Sequence, residues 1–111
     1  MRVLATVTVS LSLLVAVPKG TALTRDRSSE QVTAAIRYVF GPYAGQALRV
    51  AWCESRMSIW AHNGQYLGLF QMGSMARARY GHAWNAWAQA ISAYRYFVDS
   101  GRDWSPWTCR P

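Results

Sequence analysis

Two cysteines, Cys53 and Cys109, stand 56 positions apart in a chain of 111 residues, and a bond between them would tie the tail to the middle of the sequence. Whether they pair depends on the compartment, and the N-terminus bears on that. Arg2 precedes an apolar, Ser/Thr-dotted run from Val3 to Val17, followed by Pro18-Lys19-Gly20-Thr21-Ala22 with small residues at Gly20 and Ala22. A charged start, an apolar middle and a small-residue cleavage site have the order of a secretory signal peptide. The apolar run is 15 residues long, shorter than the roughly 20 that span a bilayer. Residues 1–22 are therefore expected to be removed, leaving a secreted or cell-wall-associated protein without stable membrane insertion. Disulfides persist in such surroundings, so Cys53 and Cys109 are expected to be bonded. On chain-entropy grounds a loop of that length stabilises the fold by about 4 kcal/mol, which matters in a domain whose core alone is marginal. Neither His62 nor His82 stands at a ligand spacing from the cysteines, so no metal and no cofactor are expected.

Residues 23–29 read as a polar linker and 30–111 as a single domain. Ser28 and Gln31 have capping-box spacing, and Val32, Ile36, Val39 and Phe40 recur at helical intervals until Gly41-Pro42. A second helix is expected from Gly45 to Arg56. In it Ala47, Val50 and Ala51 precede Glu54 by seven, four and three residues, placing Glu54 on the apolar face near the C-terminal end. The helical period then lapses, and Gly64, Gly68 and Gly73 punctuate an irregular loop with a small hairpin. Ser74 can cap a short helix ending at Gly81. A longer helix over Asn85–Ser100 carries Ala86, Ala90, Ala93 and Phe97 on one stripe, with Trp87, Ile91, Tyr94 and Val98 beside it. Trp52 and Trp87 are expected in the core. The predicted fold is α+β and predominantly α, a small domain of about four helices with a short β-hairpin or irregular loop flanking a cleft.

Without Arg2 and Lys19, the twelve basic residues become ten against five acidic ones, so the mature chain is cationic and suited to anionic cell-wall polymers. Its arginines form no run, no nucleic-acid motif is present, and no specific nucleic-acid binding is expected. A monomer is expected.

An apolar surround and the negative end of a helix dipole both favour the neutral form of a carboxyl, the form a general acid needs. Around Glu54 the sequence reads Cys53-Glu54-Ser55, then Ala61-His62-Asn63-Gly64, then Gly68-Leu69-Phe70-Gln71-Met72. Here the chain resembles the lysozyme-like superfamily, in particular the soluble lytic transglycosylases and the actinobacterial resuscitation-promoting factors. In the first group a catalytic Glu-Ser is followed, at a matching interval, by a Gly-Leu-Met-Gln segment. In the second a Cys precedes the catalytic Glu, and a Trp-rich end closes with a second Cys, as Trp104, Trp107 and Cys109 do. The resemblance covers roughly Ala47 to Cys109.

It implies a lysozyme-like fold and cleavage of peptidoglycan glycan strands at the N-acetylmuramyl to N-acetylglucosaminyl linkage, with Glu54 as general acid and then general base. It further implies that Asn63, Tyr66 and Gln71 face the substrate, since amides pair with sugar hydroxyls and an aromatic face packs on a pyranose ring. Tyr94, in Ser92-Ala93-Tyr94, falls where the transglycosylases have a Tyr, although their following Asn-Gly is here Arg95-Tyr96. Trp60 and Trp104, in irregular stretches, are further candidates for contact with glycan. Asp26, Glu30, Asp99 and Asp103 all lie outside the central loop, where a two-carboxylate hydrolase would carry its partner. Lytic transglycosylase chemistry is therefore favoured; a lysozyme-type muramidase and a non-catalytic, cationic glycan-binding protein are the alternatives.

Overall fold

The computed structural model describes residues 21–111, so nearly all of the expected signal peptide lies outside the described residues. The protein is α+β and predominantly α. Helix α1 spans Thr21–Phe40, a 3-10 turn Gly41–Tyr43, and helix α2 Ala44–Ser55. Strands β1 (His62–Asn63) and β2 (Tyr66–Leu67) follow, then helices α3 (Ser74–Tyr80) and α4 (Ala86–Asp99).

Helix α1 begins earlier than the sequence pattern suggested and takes in the stretch 23–29 read as a linker. That stretch holds no Gly or Pro and includes Leu23, Arg25 and Arg27, all good helix formers, so an established helix can propagate back through it. Ser28 accordingly lies inside the helix and caps nothing. The other end is as expected, with Gly41 at φ +54° and Pro42 opening the 3-10 turn. Helix α4 also starts where its signal lies, because the Asn85 side chain accepts the Ala88 N–H at 2.8 Å.

Helix α1 packs on both α2 and α4. Val32, Ala35, Ile36 and Phe40 meet Ala47, Val50 and Ala51 of α2 and Ala90, Ala93 and Phe97 of α4 in one buried cluster. Phe40 lies among Tyr94, Phe70, Trp104 and Phe97, with ring centroids 5.2 to 5.8 Å away. The helix interfaces are thus made largely of alanines, which bring backbones close and leave bulky neighbours outside. Trp52 and Trp87, expected in the core, are exposed for this reason. Trp52 lies under the Arg56 guanidinium, 5.0 Å from its ring centre, and Trp87 meets the edge of Tyr38.

The tail contributes what the helices do not. Trp104 and Trp107 are buried, and each satisfies its indole N–H: Trp104 Nε1 donates to Gln46 Oε1 at 2.8 Å, Trp107 Nε1 to the Phe70 carbonyl at 2.9 Å. A disulfide joins Cys53 to Cys109.

Two strands pair antiparallel, His62 opposite Leu67 and Asn63 opposite Tyr66, around a two-residue turn whose first position, Gly64, has φ +61°. This hairpin and the segment after it are held to α4 by one buried side chain. Gln89 Oε1 accepts the Leu69 N–H at 2.8 Å, and its Nε2 donates to the Ile59 and Ala83 carbonyls at 3.1 and 3.0 Å. Every hydrogen of that amide is used, which is what makes a buried Gln tolerable. Gly68, at φ +82°, gives it room: a Cβ there would lie 2.5 Å from Gln89 Oε1.

Candidate active site

Helix α2 ends in a left-handed cap, with Arg56 at φ 54° and its N–H donating to the Ala51 and Trp52 carbonyls. Glu54 therefore sits in the last turn, half-buried rather than on the fully buried stripe that Ala47, Val50 and Ala51 occupy. The disulfide from the adjacent Cys53 brings the tail against it, and the Cys109 backbone N–H donates to Glu54 Oε2 at 3.1 Å. Among the described residues no protein group hydrogen-bonds Oε1. One oxygen is thus held in place and the other is left for a visitor.

The carboxyl lines an open cleft of about 540 Å³. Asn63, Gln65 and Tyr66 of the hairpin form one wall; Gln71 and Met72 follow from the next segment, Met75 and Ala76 from α3, Tyr96 from α4 and Pro106 to Cys109 from the tail. Gln71 takes φ 48°, an uncommon conformation for a residue with a Cβ. Its Nε2 donates to the carbonyls of Gly68 (3.0 Å) and Ala61 (3.3 Å), so its Oε1 remains as an acceptor. Gln65 Oε1 accepts from both the N–H and the hydroxyl of Ser74 at 3.0 and 2.9 Å, and Arg77 donates to the Gln65 and Met72 carbonyls, bracing the hairpin on α3. Glu54 is the one charged side chain among these lining residues; the rest offer amides, hydroxyls, thioethers and aromatic rings.

Comparisons with family models, curated proteins and solved structures find no match to this chain.

Of the residues singled out by the resemblance, Glu54, Asn63, Tyr66 and Gln71 all line the cleft. Three other candidates do not line it. Tyr94 packs edge-on against Phe40 with centroids 5.2 Å apart. Trp104 is only 5% exposed, stacked on Phe40 and bonded to Gln46. Trp60 is exposed outside the cleft, stacked on Trp84. The position of Tyr94 follows from helix geometry: it flanks the Ala93/Phe97 stripe on the edge that faces α1, whereas Tyr96 flanks it on the other.

That other edge also carries Gln89 and Ser92, and it is Tyr96 that reaches the cleft, stacked on Tyr80 (5.1 Å) and tilted against Trp107 (5.0 Å). The polar pair Gln89 and Ser92 was the available signal for which edge meets the loop. Gln65, Thr108 and Met75, also in the cleft, carried no signal in the sequence.

Asp99 and Asp103 are both engaged elsewhere. Asp99 accepts the Tyr80 hydroxyl at 2.8 Å and lies 3.8 Å from Arg79; burial, reinforced by that hydrogen bond, pushes the Tyr80 phenol above its ordinary range. Asp103 Oδ1 accepts the Ser105 N–H at 2.8 Å. Neither lines the cleft.

Proposed function

We propose that this protein is a secreted enzyme that cleaves peptidoglycan glycan strands at the N-acetylmuramyl to N-acetylglucosaminyl linkage, with Glu54 as its one catalytic carboxyl and lytic transglycosylase chemistry. The observation that carries this reading is a cleft in which, among the described residues, the only charged lining side chain is a carboxyl with one oxygen held and the other open. A proton carried by Glu54 belongs on Oε1, because Oε2 already accepts the Cys109 N–H. From there it passes to the leaving glycosidic oxygen as the bond to the anomeric carbon breaks. The positive charge that develops on that carbon is met by the muramyl N-acetyl oxygen, since among the described residues no second carboxylate lines the cleft. The C6 hydroxyl of the same sugar then attacks, Glu54 takes its proton, and a 1,6-anhydromuramyl end results. The amides of Asn63 and Gln71 and the face of Tyr66 suit sugar hydroxyls, N-acetyl groups and ring faces.

Glu54→Gln is nearly isosteric and removes only the transferable proton. It is expected to fold normally and to lower wall digestion by about 10²–10⁴-fold, the usual worth of a general acid–base group, and digestion within about threefold of wild type would refute the assignment. The products separate the chemistries. Mass analysis of digested strands should show anhydro ends, lighter by one water than the reducing ends a muramidase leaves. Reducing ends alone would replace the transglycosylase reading with a hydrolytic one.

A further inference from the structure

Outside the cleft, Trp60 and Trp84 stack with centroids 5.5 Å apart and planes inclined by 19°, yet they remain 65% and 43% exposed. They come from separate loops, one before the hairpin and one before α4. Both loops are held by the same buried group. Gln89, 4% exposed, donates through its Nε2 to the carbonyls of Ile59 and Ala83, the residues immediately before the two tryptophans. Its Oε1 accepts the N–H of Leu69, two residues before Gln71 of the cleft. The exposed pair and the cleft segment are therefore fixed to each other through one fully used amide. Trp60 is also only three residues from Asn63, at most about 11 Å along an extended chain, and Asn63 lines the cleft.

We propose that Trp60 and Trp84 form a platform that grips the glycan strand beyond the Glu54 cleft and makes the enzyme selective for long strands over short fragments. This inference rests on the glycan-cleaving reading above. Exposed indole faces offer the flat apolar surface on which pyranose rings pack. A strand that leaves the cleft past Asn63 reaches them after a few sugars. Because Gln89 sets the platform and the cleft segment in register, an occupied platform aligns the strand at no further ordering of the protein. Outside the cleft, the other exposed aromatics lack this continuity: Trp52 of α2 lies beneath the Arg56 guanidinium and Trp87 of α4 pairs with Tyr38 of α1, and neither stands next to a carbonyl that Gln89 holds.

The test uses the Glu54→Gln protein, which should bind without digesting, and purified insoluble peptidoglycan. Adding Trp60→Ala is expected to weaken retention about three- to tenfold, the worth of a lost aromatic stack. Trp60→Phe should restore most of it, and Trp52→Ala should have no effect. In the catalytic background, Trp60→Ala should raise KM on polymeric strands and leave the rate on a soluble four-sugar fragment unchanged. Unaltered retention by the Trp60→Ala, Trp84→Ala double variant would overturn the platform. So would an equal loss on polymer and fragment, which would place the effect in the cleft. Loss of binding to anionic phospholipid vesicles with wall binding intact would assign the pair to lipid and overturn it as well. Digestion by Glu54→Gln would instead refute the catalytic reading, and the retention measurements would still decide the platform.

Discussion

Gly68→Ala isolates the device that holds the cleft together. The methyl group meets two obstacles. The backbone at φ +82° is a region in which a residue with a Cβ is penalised by roughly 1–2 kcal/mol. The new Cβ would also lie 2.5 Å from Gln89 Oε1 and 2.8 Å from its Cδ. The Gln89 amide cannot swing aside freely, because it makes three hydrogen bonds at 2.8 to 3.1 Å. Releasing the Leu69 N–H leaves a buried donor unpaired at about 1–3 kcal/mol. The two effects together destabilise by about 2–5 kcal/mol, which for a domain of this size lowers Tm by roughly 8–40 °C. Thermal unfolding by circular dichroism under non-reducing conditions measures it. Gln89→Ala removes the obstructing amide, so Gly68→Ala in that background should lose only the backbone share. A cycle that is strictly additive, or a single-variant loss below about 1 kcal/mol, would refute the clash.

Replacing both Cys53 and Cys109 by Ala is expected to destabilise by about 2–4 kcal/mol. It should also reduce wall digestion at temperatures where the variant is still folded, because the donor to Glu54 Oε2 is the N–H of Cys109; parallel loss of stability with full activity in the folded fraction would contradict that role. His82 makes a pH prediction. Burial, with Arg77 adding to it, holds its pKa below the ordinary 6.5, and its Nε2 is buried with no hydrogen-bond partner among the described residues. A depressed folded-state pKa means the unfolded chain binds the proton first, so stability present above about pH 6.5 declines as pH falls through the folded value. Tm measured from pH 7.5 downward should show that decline, and His82→Gln should flatten it.

Helices α2, α3 and α4 were legible to within a residue or two because their ends are chemical events: an Asn cap at Asn85, glycines at Gly81 and Gly101, and a lapse of period after Arg56. The hairpin was legible from Gly64. Glu54 was legible because helical spacing puts it beside Ala47, Val50 and Ala51, although spacing does not distinguish the centre of a buried face from its margin. The start of α1 was not legible, since a polar stretch without Gly or Pro has no stop signal and composition does not separate linker from exposed helix. Trp104 was misread for a related reason. In a Pro-broken tail no period assigns inside from outside, and its burial depends on Gln46, 58 residues away. The side on which each aromatic of α4 faces was set by which alanines met α1, and within the helix only the polar pair Gln89 and Ser92 marked the edge that meets the loop.

The cleft is built from pieces of chain that have little reason of their own to stay together. The hairpin has two residues per strand, far too few for independent stability, and the tail has no regular structure after Asp99 except turns. Two links make them a site. The Cys53–Cys109 bond and the Cys109 N–H hold the tail to the end of α2, and the Gln89 amide holds the hairpin side to α4. They meet across Phe70, whose backbone follows Leu69, the donor to Gln89, and whose carbonyl accepts the Trp107 indole N–H. The loop segment over 68–71 is therefore fastened from both sides, which is how Gln71 can be kept at φ 48°; strained conformations persist only where their surroundings over-determine them. Loosening either link should therefore be felt at Gln71 before it is felt in the helical core, because α1 packs directly on α2 and α4, whereas Gln71 keeps its φ only while the buried segment around it is held.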